Sequence, residues 1–288
     1  MTFEPSINCE CSSERSPDVL RFCNKPAAET DFGFADSGYE RSYDECTTCG
    51  HYFGRHNLPL ARIYESSYVD STYGNSHGMV QRLEKILALP AEESDNALRV
   101  RRIEAFYLAN LGQSAAAQNQ RKLLDVGAGI GVFPAAMKVE GWEVVAIEPD
   151  PRTVLLLSSV VKVKALQEDF LDLSADRIGK FNAITFNKVL EHVEDPSDLL
   201  SHARGFLAER GFCYVEVPDV HAATQGKQRE EFFVEHHHVF SPASLSILVQ
   251  NSGFNLVRLE RLVEPSGKFT LCAFMEPGPT KTPRRRAL

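Results

Sequence analysis

No apolar run in the 288-residue chain approaches the ~18 residues that a membrane span requires. The run Val154–Leu157, for one, is broken at once by Ser158 and Ser159. A signal-peptide core is missing too, because Met1–Arg15 is polar. Basic charge is scarce: 31 Lys and Arg face 39 Asp and Glu, a formal net charge of −8. That balance argues against a dedicated nucleic-acid binder, whose footprint is basic. The lone basic cluster, Arg284–Arg286, lies in a Pro-rich tail and reads as solvated. No internal repeat is visible. These absences predict a soluble cytoplasmic protein with no nucleic-acid partner and no membrane span, and they leave the oligomeric state open.

Seven cysteines are present, at 9, 11, 23, 46, 49, 213 and 272. The odd count, with five of them before residue 50, fits a metal knuckle in a reducing compartment better than a disulfide framework. Cys46–Thr47–Thr48–Cys49–Gly50 is C-x-x-C-G, the shape of a zinc knuckle on a hairpin. Cys9 and Cys11 form the second pair, with one spacer residue instead of two and 34 residues before Cys46. Cys23, His51 or His56 are alternative ligands. A structural zinc on Cys9, Cys11, Cys46 and Cys49 is therefore expected, against the alternative of free cysteines, since a small module poor in aliphatics needs metal to fold. Cys213 and Cys272 fall in strand-like runs and read as inert core residues.

The stretch Lys122–Gly131 reads as an apolar strand, a glycine loop and the start of a helix near Val132. Glycines at 127, 129 and 131 remove bulk where a backbone approaches a ligand. The unpaired amides of the following helix favour polar or anionic groups. A dinucleotide fingerprint, G-x-G-x-x-G, would need glycine at 132, where Val132 stands. The pattern is instead D-x-G-x-G-x-G, with Asp125 closing the strand. An acid there can accept bonds from loop amides or bind a cationic amino-acid ligand. Glu148 ends the next apolar strand, where a carboxylate can take both ribose hydroxyls of an adenosine. Asp125–Gly131 with Glu148 resembles motif I and its partner acid in class I S-adenosylmethionine (SAM) methyltransferases.

From residue 121 onward strands and helices alternate, which implies a parallel sheet covered on both faces. Strands are expected at 122–126, 143–147, 162–165, 181–186, 211–217, 255–262 and 269–275. Helices are expected at 132–140, 151–159, 197–209 and 242–252, and upstream at Val80–Leu89 and Asn96–Leu111. Only Glu264–Lys268 separates the last two strands, too short for a crossover helix, so that pair must be antiparallel. The fold class is α/β: a Rossmann-like, seven-stranded, mostly parallel sheet with an antiparallel last strand, plus a small Cys-rich N-terminal module. The expected domains are a Cys-rich module at 1–60, a connector and helical cap at 61–119, the SAM-binding domain at 120–276, and a disordered tail at 277–288.

Ligands in open α/β sheets sit at the C-terminal strand ends. The resemblance assigns cofactor contacts there to Asp125, Gly127, Ala128, Gly129, Glu148, Pro149, Asp169, Phe170, Asn187 and Lys188. Asp169 would bond the adenine amino group and the Phe170 ring would stack on the base. The segment Asn187–Pro196, N-K-V-L-E-H-V-E-D-P, resembles the corresponding motif of small-molecule methyltransferases and not the D/N-P-P-[YF] motif of amino methyltransferases. Methyl transfer is an in-line displacement in which the protein mainly positions nucleophile and methyl. A hydroxyl or acidic carbon must also lose a proton, and histidine is the natural base near neutral pH.

Two histidine stretches are candidates: Glu191–His192, and Glu235–His236–His237–His238 before a helix capped by Ser241 with Pro242 at its first position. The second resembles the E-H-x-x-[YF]-F-S segment of sugar C-methyltransferases, with Val239 in place of the family's aromatic residue. There the histidine matching His236 helps deprotonate substrate. The aromatic run Tyr64–Tyr73 and Ser76–Met79 resembles the segment that covers the active site in that family, or it is a plain connector. Three histidines in a row rarely point to one metal centre. The chain also stops short of that family's additional C-terminal domain.

The leading expectation is a SAM-dependent methyltransferase acting on an oxygen or carbon of a small molecule, such as a sugar nucleotide or glycan precursor. The alternatives are a non-catalytic SAM-fold scaffold and a nucleotide-linked oxidoreductase, the latter disfavoured by Val132.

Overall fold

In the computed structural model, residues 14–32, 39–56, 58, 76–110 and 121–279 are described. Cys9, Cys11, the Tyr64–Tyr73 run and the tail from 280 onward lie outside the described residues. The chain begins with three antiparallel strands, β1 (Arg15–Phe22), β2 (Arg41–Cys46) and β3 (Tyr52–His56). Two helices follow, α1 (Ser76–Leu87) and α2 (Asp95–Asn110). The alternating region then runs β4 (Lys122–Val126), α3 (Val132–Val139), β5 (Glu143–Glu148), α4 (Pro151–Leu156), β6 (Lys164–Gln167), α5 (Ala175–Ile178) and β7 (Phe181–Asn187). It continues with α6 (Pro196–Ala203), β8 (Leu207–Pro218), β9 (His238–Val239), α7 (Pro242–Asn251), β10 (Phe254–Val263) and β11 (Phe269–Pro277).

The large sheet has seven strands in the order β10-β11-β8-β7-β4-β5-β6. Within it β11 alone runs antiparallel, to both β10 and β8. The central strands are apolar at nearly every position because both faces are covered. Leu124, Ile184, Val215 and Leu271 contribute to one core, beneath α6 and α7. Leu123, Ala183, Tyr214 and Phe274 contribute to the other, beneath α2 and α3. Phe106 of α2 stacks on Phe274 at 4.2 Å.

A buried ion cluster pins α2 to the sheet. Arg99 donates to Glu216 at 2.9 Å, and Arg102 bonds both Glu216 (2.8 Å) and Glu264 (3.2 Å). Burial alone would raise the Glu216 carboxyl; the Arg99 guanidinium beside it, aided by Lys188 and Arg102, holds it at about 2.

The small sheet, β1-β2-β3-β9, takes its fourth strand from the far end of the chain. Tyr52 pairs with Val239 and Phe53 with His238. The buried Glu29–Arg41 pair, N···O 2.8 Å, strengthens this union, because the Glu29 carboxylate also accepts from the Val234 amide at 2.8 Å. The hydroxyl of Tyr43 donates to the His236 carbonyl at 2.9 Å.

Several element boundaries shift from expectation for local reasons. The helix from Pro151 ends in a π-helical turn, Leu157–Val161, closed by Lys162 at φ 61°, so β6 starts at Lys164 rather than 162. Helix α6 gives way at Arg204 to a 3₁₀ turn, and β8 starts at Leu207 rather than 211. The earlier start is fixed by pairing of Leu207 with Phe181 across a register shift, near Arg210 at φ 63°.

Candidate active site

The glycine loop joins β4 to α3 at the C-terminal edge of the sheet. Gly127, Gly129 and Gly131 all have positive φ, at 72°, 53° and 83°. At two of them protein packing also demands glycine. A Cβ on Gly127 would stand 2.6 Å from Val189, and one on Gly131 would stand 2.7 Å from Leu157. Glycine at 127 and 131 therefore also makes room for the protein's own side chains.

The loop amides are engaged. Gly127 and Ala128 donate to the Ile147 carbonyl at 3.0 and 3.3 Å, and Gly129 donates to the Glu148 carboxylate. Pro149 follows as an exposed residue, and Asp150 caps α4 by accepting from the Arg152 amide at 2.8 Å.

Asp125 accepts no loop amide. Its Oδ1 takes the Thr185 hydroxyl at 2.6 Å and the Asn187 amide at 3.0 Å, both from β7. Burial pushes Asp125 up to about 7, even though those two bonds and the charge of Arg99 favour its ionised form. Burial likewise lifts Glu148 to about 7, against the Gly129 amide bond and reinforced by Asp125 and Asp150. Two neighbouring carboxyls thus stand ready to ionise when a polar ligand arrives.

Asp169 is exposed and caps a short 3₁₀ turn through the Leu171 amide at 2.9 Å. Phe170 does not face the cleft, which corrects its expected stacking role. It is 3% exposed, with its ring against Phe186 (5.8 Å), Phe206 (5.2 Å) and His202 (5.0 Å). The 3₁₀ turn rotates it inward and leaves Leu171 on the surface, 44% exposed.

Beyond β7 the chain turns at Lys188, φ 60°, into a 3₁₀ turn, Leu190–His192. This turn borders a half-open cleft of about 110 Å³, lined by Lys188, Glu191, His192, Glu230, Glu231 and His236 together with Pro218, Lys268 and Phe269. Lys188 thus belongs to this second cleft. Its ammonium donates to Thr270 at 2.7 Å.

Both predicted histidines meet here, ring centroids 4.8 Å apart at 71°. Each is oriented by a backbone carbonyl. The Nδ1–H of His192 donates to the Glu235 carbonyl at 3.0 Å, and that of His236 to the Glu231 carbonyl at 3.0 Å. This tautomer leaves the lone pair on Nε2 of each ring. Burial lowers His192 to about 4 and His236 well below the ordinary imidazole value, so both are neutral.

Glu191 is 1% exposed, and its Oε2 has no hydrogen-bond partner. Burial raises it to about 7, against the pull of Lys188. Glu235, also raised to about 7 by burial, serves through its carbonyl; its carboxylate is not among the described groups that line the cleft. Val189 sits on Gly127 and Asn187 bonds Asp125, so a single stretch, 187–192, borders both the glycine loop and the second cleft.

Sequence reasoning missed Thr185, Glu230, Glu231 and Lys268. Glu230 and Glu231 stand only six and five residues before His236, a proximity that was readable. Thr185 and Lys268 carry no local signal, because strand pairing alone brings them in.

In the N-terminal sheet, Cys46 and Cys49 are buried beside Phe53 at the hairpin turn. Cys23 and His56 are removed as alternative ligands. Phe22 and His56 both pair with Arg41, at the end of β2 opposite Cys46. Five residues of strand separate the two ends by about 17 Å. His51 is committed elsewhere, to Ser244 at 3.0 Å and His238 at 3.3 Å.

Residues 95–259 match a protein family described as "Methyltransferase domain". The ubiquinone biosynthesis O-methyltransferase of Xanthomonas campestris pv. campestris is 33% identical over 99 residues, 33% of this chain and 41% of that one. Its counterpart in Bordetella parapertussis is 29% identical over 126 residues, 41% of this chain and 52% of that one. The matches thus span only about half or less of the length of these curated relatives. Among solved structures, magnesium protoporphyrin IX methyltransferase from Synechocystis PCC 6803, with bound S-adenosylhomocysteine, superposes with a TM-score of 0.53 at 15% identity, covering 75% of this chain and 97% of that one. The Burkholderia thailandensis 1,6-didemethyltoxoflavin-N1-methyltransferase, with its acceptor and S-adenosylhomocysteine bound, gives 0.50 at 20% identity, covering 80% and 96%. The likeness first read in Asp125–Gly131 holds in the sheet order, and the chain belongs to the methyltransferase-domain family of class I SAM-dependent enzymes.

Proposed function

We propose that this protein transfers the methyl group of SAM to an oxygen or carbon of a small molecule seated in the cleft of Lys188, His192 and His236. The observation that carries this reading is the Asn187–Asp125 hydrogen bond, which ties the glycine loop to the turn presenting His192. SAM lies along Gly127–Gly129, with Glu148 exchanging the Gly129 amide for ribose hydroxyls. The helix start at Gly131 has no side-chain cap, which supports a polar ligand there. The acceptor's proton leaves toward the paired imidazoles.

Support for an oxygen acceptor comes from the named activity of the ubiquinone-pathway relatives. Support for a sugar carbon is limited to the likeness of Glu235–Ser241. Zinc is assigned to Cys9, Cys11, Cys46 and Cys49 as a structural ion. In support, Arg15 pairs with Cys46, so the chain enters the sheet next to Cys46 only four residues after Cys11.

The test is calorimetry with SAM, followed by release of S-adenosylhomocysteine from a panel of phenols and nucleotide sugars. A His236→Ala variant should lose about 10²–10⁴-fold in turnover, the usual contribution of a positioned base, and keep its SAM affinity. Full activity in that variant removes His236 from the chemistry. No binding of SAM at all overturns the reading.

A further inference from the structure

We propose that Glu191, His192 and His236 form a binding site for one divalent first-row transition ion in the acceptor cleft, with open positions for an acceptor oxygen. One ligand atom from each residue lies within 4.8 Å of the other two. At bond lengths of about 2.1 Å, tetrahedral ligand atoms stand about 3.4 Å apart, inside that limit. Two imidazoles and a carboxylate are a donor set that suits Mn²⁺, Co²⁺ or Zn²⁺.

Three independent features point the same way. The Oε2 of Glu191 is buried without a hydrogen-bond partner in a residue that lines the cleft. Buried carboxylate oxygens rarely go unpartnered, and one that does needs an explanation. Both histidines anchor Nδ1–H on a backbone carbonyl, the outer-shell bond that metal-ligating histidines usually make to fix ring and tautomer. Of the cleft's three carboxylates, Glu230 pairs with Lys268 at 3.2 Å and Glu231 with Arg229 at 2.9 Å, which leaves Glu191, among the described residues, as the one of the three outside an ion pair.

The inference rests on the methyltransferase reading for its chemical role. With both Nε2 lone pairs on the ion, the imidazoles would serve as ligands in place of the base role given above, and the ion would lower the pKa of a bound acceptor hydroxyl so that its proton passes to solvent. The resulting oxyanion attacks the SAM methyl, the O–CH₃ bond forms as the S–CH₃ bond breaks, and S-adenosylhomocysteine leaves. Acceptors with a hydroxyl beside a second oxygen donor, such as a catechol or a hydroxy-carboxylate, fill two open positions at once.

The experiment uses the full chain, stripped with chelator and titrated with Co²⁺. The expected result is visible d–d bands that reach a plateau, with affinity falling at least tenfold in Glu191→Gln and in His236→Ala. The difference spectrum between the wild type and Glu191→Gln should lack thiolate charge-transfer intensity, which separates this site from any ion on Cys46 and Cys49. SAM calorimetry on each variant checks that the fold is intact. Co²⁺ affinity unchanged in a folded Glu191→Gln protein overturns the proposal, as does a difference spectrum carried by thiolate. Co²⁺ bound through Glu191 in a chain that fails to bind SAM upholds the ion site and overturns the methyltransferase reading instead.

Discussion

Asp125 and Glu148 are carboxyls whose charge depends on what lies in front of them. Each is raised to about 7, with burial the leading cause in both. Their donors, Thr185 and Asn187 for Asp125 and the Gly129 amide for Glu148, already favour ionisation. A ligand that brings hydroxyls or an ammonium group binds the ionised forms. SAM binding should therefore tighten as pH rises through 7 and release protons as it does so. For one group titrating at about 7, affinity at pH 8 should exceed that at pH 6 by about tenfold, read by calorimetry in two buffers of different ionisation enthalpy. A flat profile would show that neither carboxyl meets the ligand. The two acids themselves were legible in the chain, because each ends an apolar strand before a turn. The inward turn of Phe170 was not, because burying a ring beside Phe186 and Phe206 depends on where β7 and the 3₁₀ turn after α6 come to lie.

At the scale of elements, α7 works at both ends of the molecule's history. Its start was readable as Ser241 followed by Pro242. The structure adds a reciprocal box: Ser241 Oγ accepts from the Ser244 amide at 3.0 Å, and Ser244 Oγ accepts from the Ser241 amide at 2.9 Å. The Ser241 hydroxyl then donates to the Cys49 carbonyl, 192 residues away in sequence. The cap of one helix is thus also a clasp on the cysteine hairpin. Ser241→Ala should cost about 1–2 kcal/mol in urea denaturation, the upper part of the range for a lost cap, since two bonds vanish together. A loss under about 0.3 kcal/mol would mean the clasp contributes nothing. The strand β9 makes the same point about legibility. His238–Val239 is too short and too polar to announce itself, and it becomes a strand only because β3 offers an open edge.

The whole molecule sets its own pH range. Burial lowers six histidines, His51, His56, His192, His236, His237 and His238, with His56 and His192 at about 4 and His238 at about 3. A histidine lowered in the fold is protonated more readily when unfolded, so its contribution to stability is lost as pH falls below about 6.5. The raised acids, Asp125, Glu148, Glu191, Glu235 and Glu264, act in reverse. Their contribution is complete below about 4 and is lost as pH rises, toward 7 for the first four. Six histidines outweigh five acids from about pH 4.5 to about 6, and the acids dominate above about 6.5. The ligand-free protein should be most stable near pH 6.5, with a lower Tm at pH 5 and a shallow decline toward pH 8. A Tm that climbs on acidification from 6.5 to 5 would contradict this balance. Among the described residues no helix is long and apolar enough to cross a membrane, in keeping with the fragmented apolar runs of the chain.

The sequence alone determined the order of strands and helices, the antiparallel closing hairpin and the acids around the glycine loop. These follow from local rules: apolar period, glycine and proline punctuation, and a five-residue connection too short for a crossover. Tertiary structure alone decided which strand end each side chain faces. It sent Phe170 into the core and Lys188 to Thr270. It brought His192 and His236 together across 44 residues, and it joined the cysteine hairpin to the histidine loop through β9. Such outcomes depend on long-range pairing and burial, whose free energy arises between segments and leaves no mark on either one.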